Sequence, residues 1–309
     1  EKRRIIGEEF IKVRDRALDD LKLNPEEWLL GQGTLYTDTI ESGGTDNAAV
    51  IKTHHNRVGV IEDLIVQGKV VEPLDQLYKD EARTLGETLG LSKQLVWRHP
   101  FPGPGLAVRV LCSNGSESNF DSEEVEEKAR KIASQSGYRL DILPLKSVGV
   151  QGDSRTYAHP ALLTGDLDWD KLEALSTSLT NSFNEINRVI YSMKSSKKLN
   201  LKLREAYLSK DRLDLLRDAD DLVMRALRKH ELMRDITQMP TVLVPLSSDN
   251  SSENIVLRPI STDDFMTARF SRLPSAFLDE VCDGLMELDG IEAVLYDVTH
   301  KPPGTVEWE

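Results

Sequence analysis

The chain has 309 residues, of which 39% are hydrophobic and 29% charged, with a net charge of −13 and two cysteines. This is the composition of a globular chain long enough for two or three domains. It argues against a nucleic-acid or anionic-membrane surface as the main partner, against a disulfide framework and, with no apolar run of spanning length, against a membrane-embedded protein. Cys112 and Cys282 point instead to a reducing compartment, the cytosol.

The start, "EKRRIIGEEF", opens inside a helical pattern without an initiator Met. Ile6, Phe10, Val13, Ala17 and Leu21 recur at helix spacing. The expectation is the C-terminal part of a longer protein. In "LNPEEWLLGQGTL", Asn24 is placed to cap a helix, with Pro25 at its first position. "WLLGQGT" and "KVVEPLDQL" read as short buried strands. "YKDEARTLGETLGLS" reads as a helix with Ala82, Leu85 and Leu89 on one face and Gly90 beyond its end. This alternation predicts an α/β domain with a parallel sheet.

"WRHPFPGPGLAVRV" sets three prolines beside two glycines, before a run (Leu106 to Leu111) that reads as a strand. Proline fixes φ, whereas glycine admits positive φ and close backbone approach. The result is a stiff loop with no side chains at its tip: a plain turn or a backbone cradle. The acidic, Ser-rich "CSNGSESNFDSEEVEE" reads as a linker.

The remainder reads as an internal repeat. "DILPLKS" pairs with "TVLVPLSS", and "INRVIYSM" with "IEAVLYDV". Each copy reads helix–strand–strand–helix–strand, with helices at Ser122 to Ser136, Leu172 to Phe183, Ala219 to His230 and Ala276 to Leu288. The basic segment "KSSKKLNLKLREAYLSKDR" joins the copies. Small antiparallel sheets with helices on one face are expected. The domain boundaries predicted are 1–111, 112–200 and 201–309.

Four stretches carry chemistry. Asp38 and Glu41 in "GQGTLYTDTIES" suit Mg²⁺ bound with substrate phosphates, or else a capped polar loop. Lys52, His54, His55 and Asn56 in "IKTHHN" suit phosphate binding and proton transfer, or else a solvated loop. "GVQGDSRTY" offers Asp153 and Arg155 for a sugar and a phosphate, or else a hairpin turn with a local ion pair. "HKPPGTVEWE" separates Lys301 from Glu307 by a stiff bend, so an ordered, folded-back tail is expected.

Together, "IKTHHN", "HPFPGPGLAVRV", "VGVQGD-R" and "KPPGTVEWE" resemble the glutamine-hydrolysing GMP synthetases, and the resemblance covers essentially the whole chain. It implies an α/β fold of the adenine-nucleotide alpha-hydrolase kind, present in part, followed by α+β tandem repeats that serve dimerisation in the eukaryotic members. It implies a ligase that adenylylates the C2 oxygen of xanthosine 5′-monophosphate (XMP) with ATP and Mg²⁺. Ammonia from glutamine, made in a separate glutaminase domain, then displaces AMP and yields GMP. The glutaminase domain and the "SGGVDS"-type pyrophosphate loop are not in this sequence, so catalytic incompleteness is expected; "ESGGTDN" falls in the lid and is only an echo of that loop.

The resemblance further places Asp38, Glu41, Lys52, Thr53, His54, His55 and Asn56 in a lid. Lys52 faces the ATP phosphates, Asp38 or Glu41 the Mg²⁺, and a His serves proton transfer. Gly103 and Gly105 become an XMP-side loop. Arg3 (with Arg4 as its rival), Asp153, Arg155, Gln238, Lys301 and Glu307 become XMP contacts, Arg155 and Lys301 at the 5′-phosphate. Arg258 reads as structural. The partners implied are XMP, ATP, ammonia and a second copy of the chain, as a homodimer or a monomer–dimer equilibrium. The competing readings are another ATP pyrophosphatase, such as an NAD synthetase, and a non-catalytic dimerisation module.

Overall fold

The computed structural model describes residues 2–22, 27–36, 38, 64–116, 120, 122–151, 154–262 and 266–309. The chain divides into two compact units, Glu1–Arg98 and His99–Glu309.

In the first unit, α1 (Lys2–Asp20) is a single helix. Its apolar positions Phe10 and Val13 are exposed. β1 (Leu30–Gly31) and β2 (Val70–Val71) pair in parallel. The parallel pairing matches the expectation, but both strands are two residues long and half-exposed rather than buried. α2 (Lys79–Thr88) begins with Asp80 and Glu81 in its first turn, where carboxylates meet the positive end of the helix. It closes into Gly90, which takes φ +82°, the left-handed cap expected from sequence. α3 (Lys93–Val96) is capped by Ser92, whose Oγ accepts from the Leu95 N–H. Asn24 and Pro25 lie outside the described residues.

The second unit is built on one sheet. Its elements are α4 (Glu123–Gln135), β4 (Arg139–Ile142), β5 (Ser147–Gln151), β6 (Ser154–Thr164), α5 (Trp169–Ser182) and β7 (Ile186–Ser195). There follow α6 (Lys210–Lys229), β10 (Thr241–Val244), β12 (Glu253–Leu257), α7 (Ser275–Met286) and β15 (Ile291–Asp297). The two-residue strands between them are β3 (Ser113–Asn114), β8 (Lys202–Leu203), β9 (Glu205–Ala206), β11 (Leu246–Ser247), β13 (Ile260–Ser261) and β14 (Arg269–Phe270). The strand order is β10-β12-β15-β7-β6-β4, with β5 pairing β6.

That order is symmetric about its centre. β4 and β6 are antiparallel, β6 and β7 parallel. β10 and β12 are antiparallel, β12 and β15 parallel. β7 and β15 then join the halves antiparallel. The mixed α/β character was legible, but two small antiparallel sheets were not what formed. The first six residues of β7 and all of β15 are buried, and the two strands pair with each other. The connector between the halves is also shorter than the sequence implied. β8 pairs β11 and β9 pairs β3, while α6 starts at Lys210 behind Ser209, whose Oγ accepts from the Arg212 N–H.

Alternation along the central strands decides what covers each face. Leu140, Leu163, Val189, Tyr191, Val294 and Tyr296 point into a core with the buried stripes of all four long helices. Leu162, Ile190, Val242, Val256 and Leu295 point the other way, into a second core closed by Leu199 and Trp308. Trp308 is 1% exposed, so the tail is a structural part of that layer.

Candidate functional site

The C-terminal tail runs along β5. Val150 N–H donates to the Pro303 carbonyl at 2.8 Å, and Val148 N–H to the Trp308 carbonyl at 2.9 Å. Between these bonds Gly149 lies opposite Gly304. A Cβ on Gly149 would come within 2.9 Å of the Pro303 oxygen and within 2.8 Å of Asn187 Nδ2. That close approach requires the glycine of "VGVQGD". The peptide bonds Lys301–Pro302 and Pro302–Pro303 are both cis.

Beneath the tail sits a charged cluster with no access to solvent. Asp297 Oδ2 accepts from Arg188 Nη1 at 2.8 Å, and Asp297 Oδ1 lies 2.8 Å from Arg258 Nη1. Trp308 Nε1 donates to Asp297 Oδ2 at 3.1 Å. Arg258 also donates to the carbonyls of Thr299, Gly304 and Thr305, and Arg188 to those of Val148, Thr305 and Glu307. Burial, with Arg258 alongside, pulls the Arg188 guanidinium down to about 10, and burial lowers Arg258 as well. Two buried cations thus hold one carboxylate and five tail or hairpin carbonyls, an arrangement only planar, multi-donor side chains can make. Arg258 is structural, as its sequence context implied; Arg188 and Asp297 were missed. Their signal was a lone cation inside the otherwise uncharged strand "INRVIYS" and an acid closing the strand "IEAVLYD".

The expected nucleotide contacts are distributed as follows. Glu307 is paired with Arg109, whose Nε and Nη2 donate to its two oxygens at 3.2 and 3.1 Å. Lys301 is half-buried, and its backbone pairs with Ala268 in both directions. Gln238 is 6% exposed and donates through Nε2 to the Pro100 carbonyl at 3.0 Å, while its backbone pairs with Ile260. Ile260 in turn faces Phe270 across β13 and β14. A continuous backbone ladder therefore runs from Gln238 to the strand beside Lys301. Arg155 is exposed on β6 opposite Val150, the residue that holds Pro303. The structure thus brings the hairpin bearing Arg155 against the tail bearing Lys301 and Glu307, and ties Gln238 to the proline–glycine loop. Asp153 lies outside the described residues.

The loop itself corrects one expectation. Residues 106–111 do not form a strand: Gly105–Val108 is a 3-10 turn, and only Val110 bridges to Leu243. Prolines 102 and 104 shape the turn before it, and Gly105 alone takes a positive φ, +66°. Gly103 is exposed and needs no such conformation. Arg109, missed from sequence, follows this turn at 3% exposure, with its guanidinium carbon 5.4 Å from the Phe101 ring centre. Ahead of Lys301, His300 stacks on Phe270, and its Nε2 lies 2.9 Å from Glu173 Oε1.

In the first unit, Asp38 Oδ2 accepts from the Leu35 N–H at 2.9 Å, a local capping bond. Its charge also acts on Lys79, which burial and the neighbouring Arg83 pull down to about 8. Lys79 was missed; a cation as the first residue of a helix opposes the helix dipole and is the signal that could have found it. Arg3 and Arg4 are exposed on α1, Arg4 paired with Glu8 at 2.6 Å. Glu41, Lys52, His54 and His55 lie outside the described residues. Among the described residues no group of three or more His, Cys, Asp or Glu side chains is gathered for a metal, and no helix is long and apolar enough to cross a membrane.

Residues 225–308 match the model of the GMP synthase C terminal domain. Along its whole length the chain is 46% identical to a probable glutamine-hydrolysing GMP synthase of Leptospira interrogans, covering 51% of that protein. It is 35% identical to a probable GMP synthase of Caenorhabditis elegans, again over the whole chain and 52% of the relative. The GMP synthase of Oceanobacillus iheyensis is 46% identical over 63% of the chain. The chain spans about half the length of the curated relatives it matches. Over its whole length it is similar to curated glutamine-hydrolysing GMP synthases, and residues 225–308 match their C-terminal domain.

Proposed function

We propose that this chain is the XMP-binding part of a GMP synthetase, in which ATP activates the C2 oxygen of XMP and ammonia replaces it. The observation that carries the reading is the docking of the tail, which bears Lys301 and Glu307, along β5, the strand that pairs with the β6 of Arg155. Such a surface offers cations for a phosphate and a carboxylate acceptor for sugar hydroxyls or a base N–H. Arg155 and Lys301 take the 5′-phosphate in this reading. Glu307, Gln238 and Asp153 face the nucleoside, and Gly103 and Gly105 lie against it as backbone.

The chemistry follows from leaving-group character. A carbonyl oxygen departs poorly, and adenylylation turns it into part of AMP, which departs well. The lid residues Lys52, His54 and His55 neutralise ATP phosphates, move protons and exclude water while ammonia attacks. Asp38 and Glu41 are the Mg²⁺ candidates. Carboxylates beside substrate phosphates are the usual protein contribution to such an ion, and its charge would offset that of the pyrophosphate. Glutamine is the source of the ammonia, through a glutaminase domain. The tandem halves serve dimerisation, following the 112–200 and 201–309 division, and the protein works in the cytosol.

The test is calorimetric titration of XMP into the protein and into Arg155→Ala and Lys301→Ala. Each variant removes a charge-assisted bond to phosphate, worth about 1.5–3 kcal/mol, so affinity falls at least tenfold in each. Unchanged affinity in both variants removes the phosphate assignment.

A further inference from the structure

Arg109, near the end of "HPFPGPGLAVRV", is held on several sides. Its carbonyl accepts from the Leu243 N–H at 2.8 Å, which pins it to β10. Its guanidinium makes a fork with both oxygens of Glu307. On the other side Nη1 lies 3.9 Å from Asp220 Oδ1 on α6. The Phe101 ring, from the loop that Gln238 holds at Pro100, covers the guanidinium. We propose that Arg109 is a positioning residue for the nucleotide: it presents the Glu307 carboxylate as an oriented acceptor beside the proline–glycine loop. The inference rests on the reading of Glu307 as a nucleotide contact.

The geometry separates this role from direct binding. Arg109 is 3% exposed, so its donors are spent on protein carboxylates; Glu307 is 15% exposed and can be reached. A bidentate fork fixes the plane of a carboxylate and uses one lone pair on each oxygen, leaving the other to accept from a ligand. The Glu307 carbonyl is held separately by Arg188 Nη2 at 2.9 Å and Thr305 Oγ1 at 2.5 Å. Backbone and carboxylate are thus immobilised by different partners. Asp220 places a second carboxyl group beside the same guanidinium, and burial pushes that carboxyl above its ordinary value. Because Phe101 rests on the same cation, the loop and the acceptor are set by one side chain.

A fold-stabilising ion pair would have the same contacts, so the test must read coupling. XMP is titrated calorimetrically into the protein and into Arg109→Gln, Arg109→Lys, Glu307→Gln and the Arg109→Gln/Glu307→Gln double variant, with thermal unfolding of each. If Arg109 acts through Glu307, Arg109→Gln weakens XMP about tenfold in the native background and less than about twofold once Glu307 is Gln. Arg109→Lys, which keeps the charge without the fork, recovers part of the loss. Should Arg109→Gln fail to fold, Arg109→Lys carries the test, with a loss of at least about threefold expected only where Glu307 is intact. An equal loss in both backgrounds, or none, overturns the inference. Unchanged XMP affinity in Glu307→Gln alone overturns instead the reading of Glu307 on which it rests.

Discussion

Arg258 and Asp297 lie 2.8 Å apart with neither side chain exposed at all. Arg188 meets the second oxygen of the same carboxylate, also at 2.8 Å. Removing the carboxylate leaves two buried guanidiniums without a counter-charge. Breaking a buried pair from one side typically costs about 3–5 kcal/mol. Asp297→Ala is therefore expected to lower unfolding free energy by that order in urea. Trp308→Phe removes one hydrogen bond to Asp297 and part of a fully buried ring beneath Arg188, so it costs more than the ~1 kcal/mol of the hydrogen bond alone.

The close approach of Gly149 to the tail gives a more local test. Three polar atoms, from Asn187, Pro303 and Thr156, lie within 2.9 Å of where a Cβ would stand. Gly149→Val should displace the tail, at a cost of about 1–3 kcal/mol for an overpacked site. Limited proteolysis checks it, with the C-terminal residues cut far faster than in the native protein. Equal cutting rates would show that the tail tolerates the displacement.

The two cysteines should differ in reactivity. Cys112 is exposed, whereas Cys282 is 4% exposed and burial pushes its thiol up to about 12. The thiolate is the reactive form. Iodoacetamide at neutral pH should label Cys112 and leave Cys282 intact until the protein unfolds, as read by peptide mass spectrometry.

Lys79 supplies a pH dependence with a definite sign. Burial lowers its folded-state value to about 8 from 10.5. Between those values the unfolded chain binds more protons than the folded one, so stability rises with pH there. Below pH about 8 both states are protonated and the burial penalty is fully present. Lys79→Met should abolish this part of the rise, measured as the difference between the pH profiles of the two proteins in urea.

How much of this could be read from the sequence depends on where each signal sits. The Gly90 cap, the four long helices of the second unit and the folded-back tail were legible, because caps, helical periodicity and Trp308 in a Pro-Gly context are local signals. The joining of both halves into one sheet was not, since the pairing of β7 with β15 is a contact across about a hundred residues of chain. Leu106 to Leu111 looked like a strand because its apolar residues suit either a strand or a turn packed on a core. The positive φ of Gly105 and the 3-10 turn over Gly105–Val108 leave only Val110 to bridge to Leu243. Arg109 escaped because nothing local distinguishes it from a surface arginine, and the charge of Arg188 within an apolar strand did not reveal its partner; their carboxylates are 198 and 109 residues away.

The hairpin, the tail and the proline–glycine loop are the site proposed for XMP. Calorimetric titration of XMP, with inosine 5′-monophosphate as the control that lacks the C2 oxygen, tests it most directly. Saturable XMP binding is expected, with at least about tenfold weaker binding of the control, the loss of a polar contact to that oxygen. Equal affinity for the two nucleotides, or binding of neither, would contradict it.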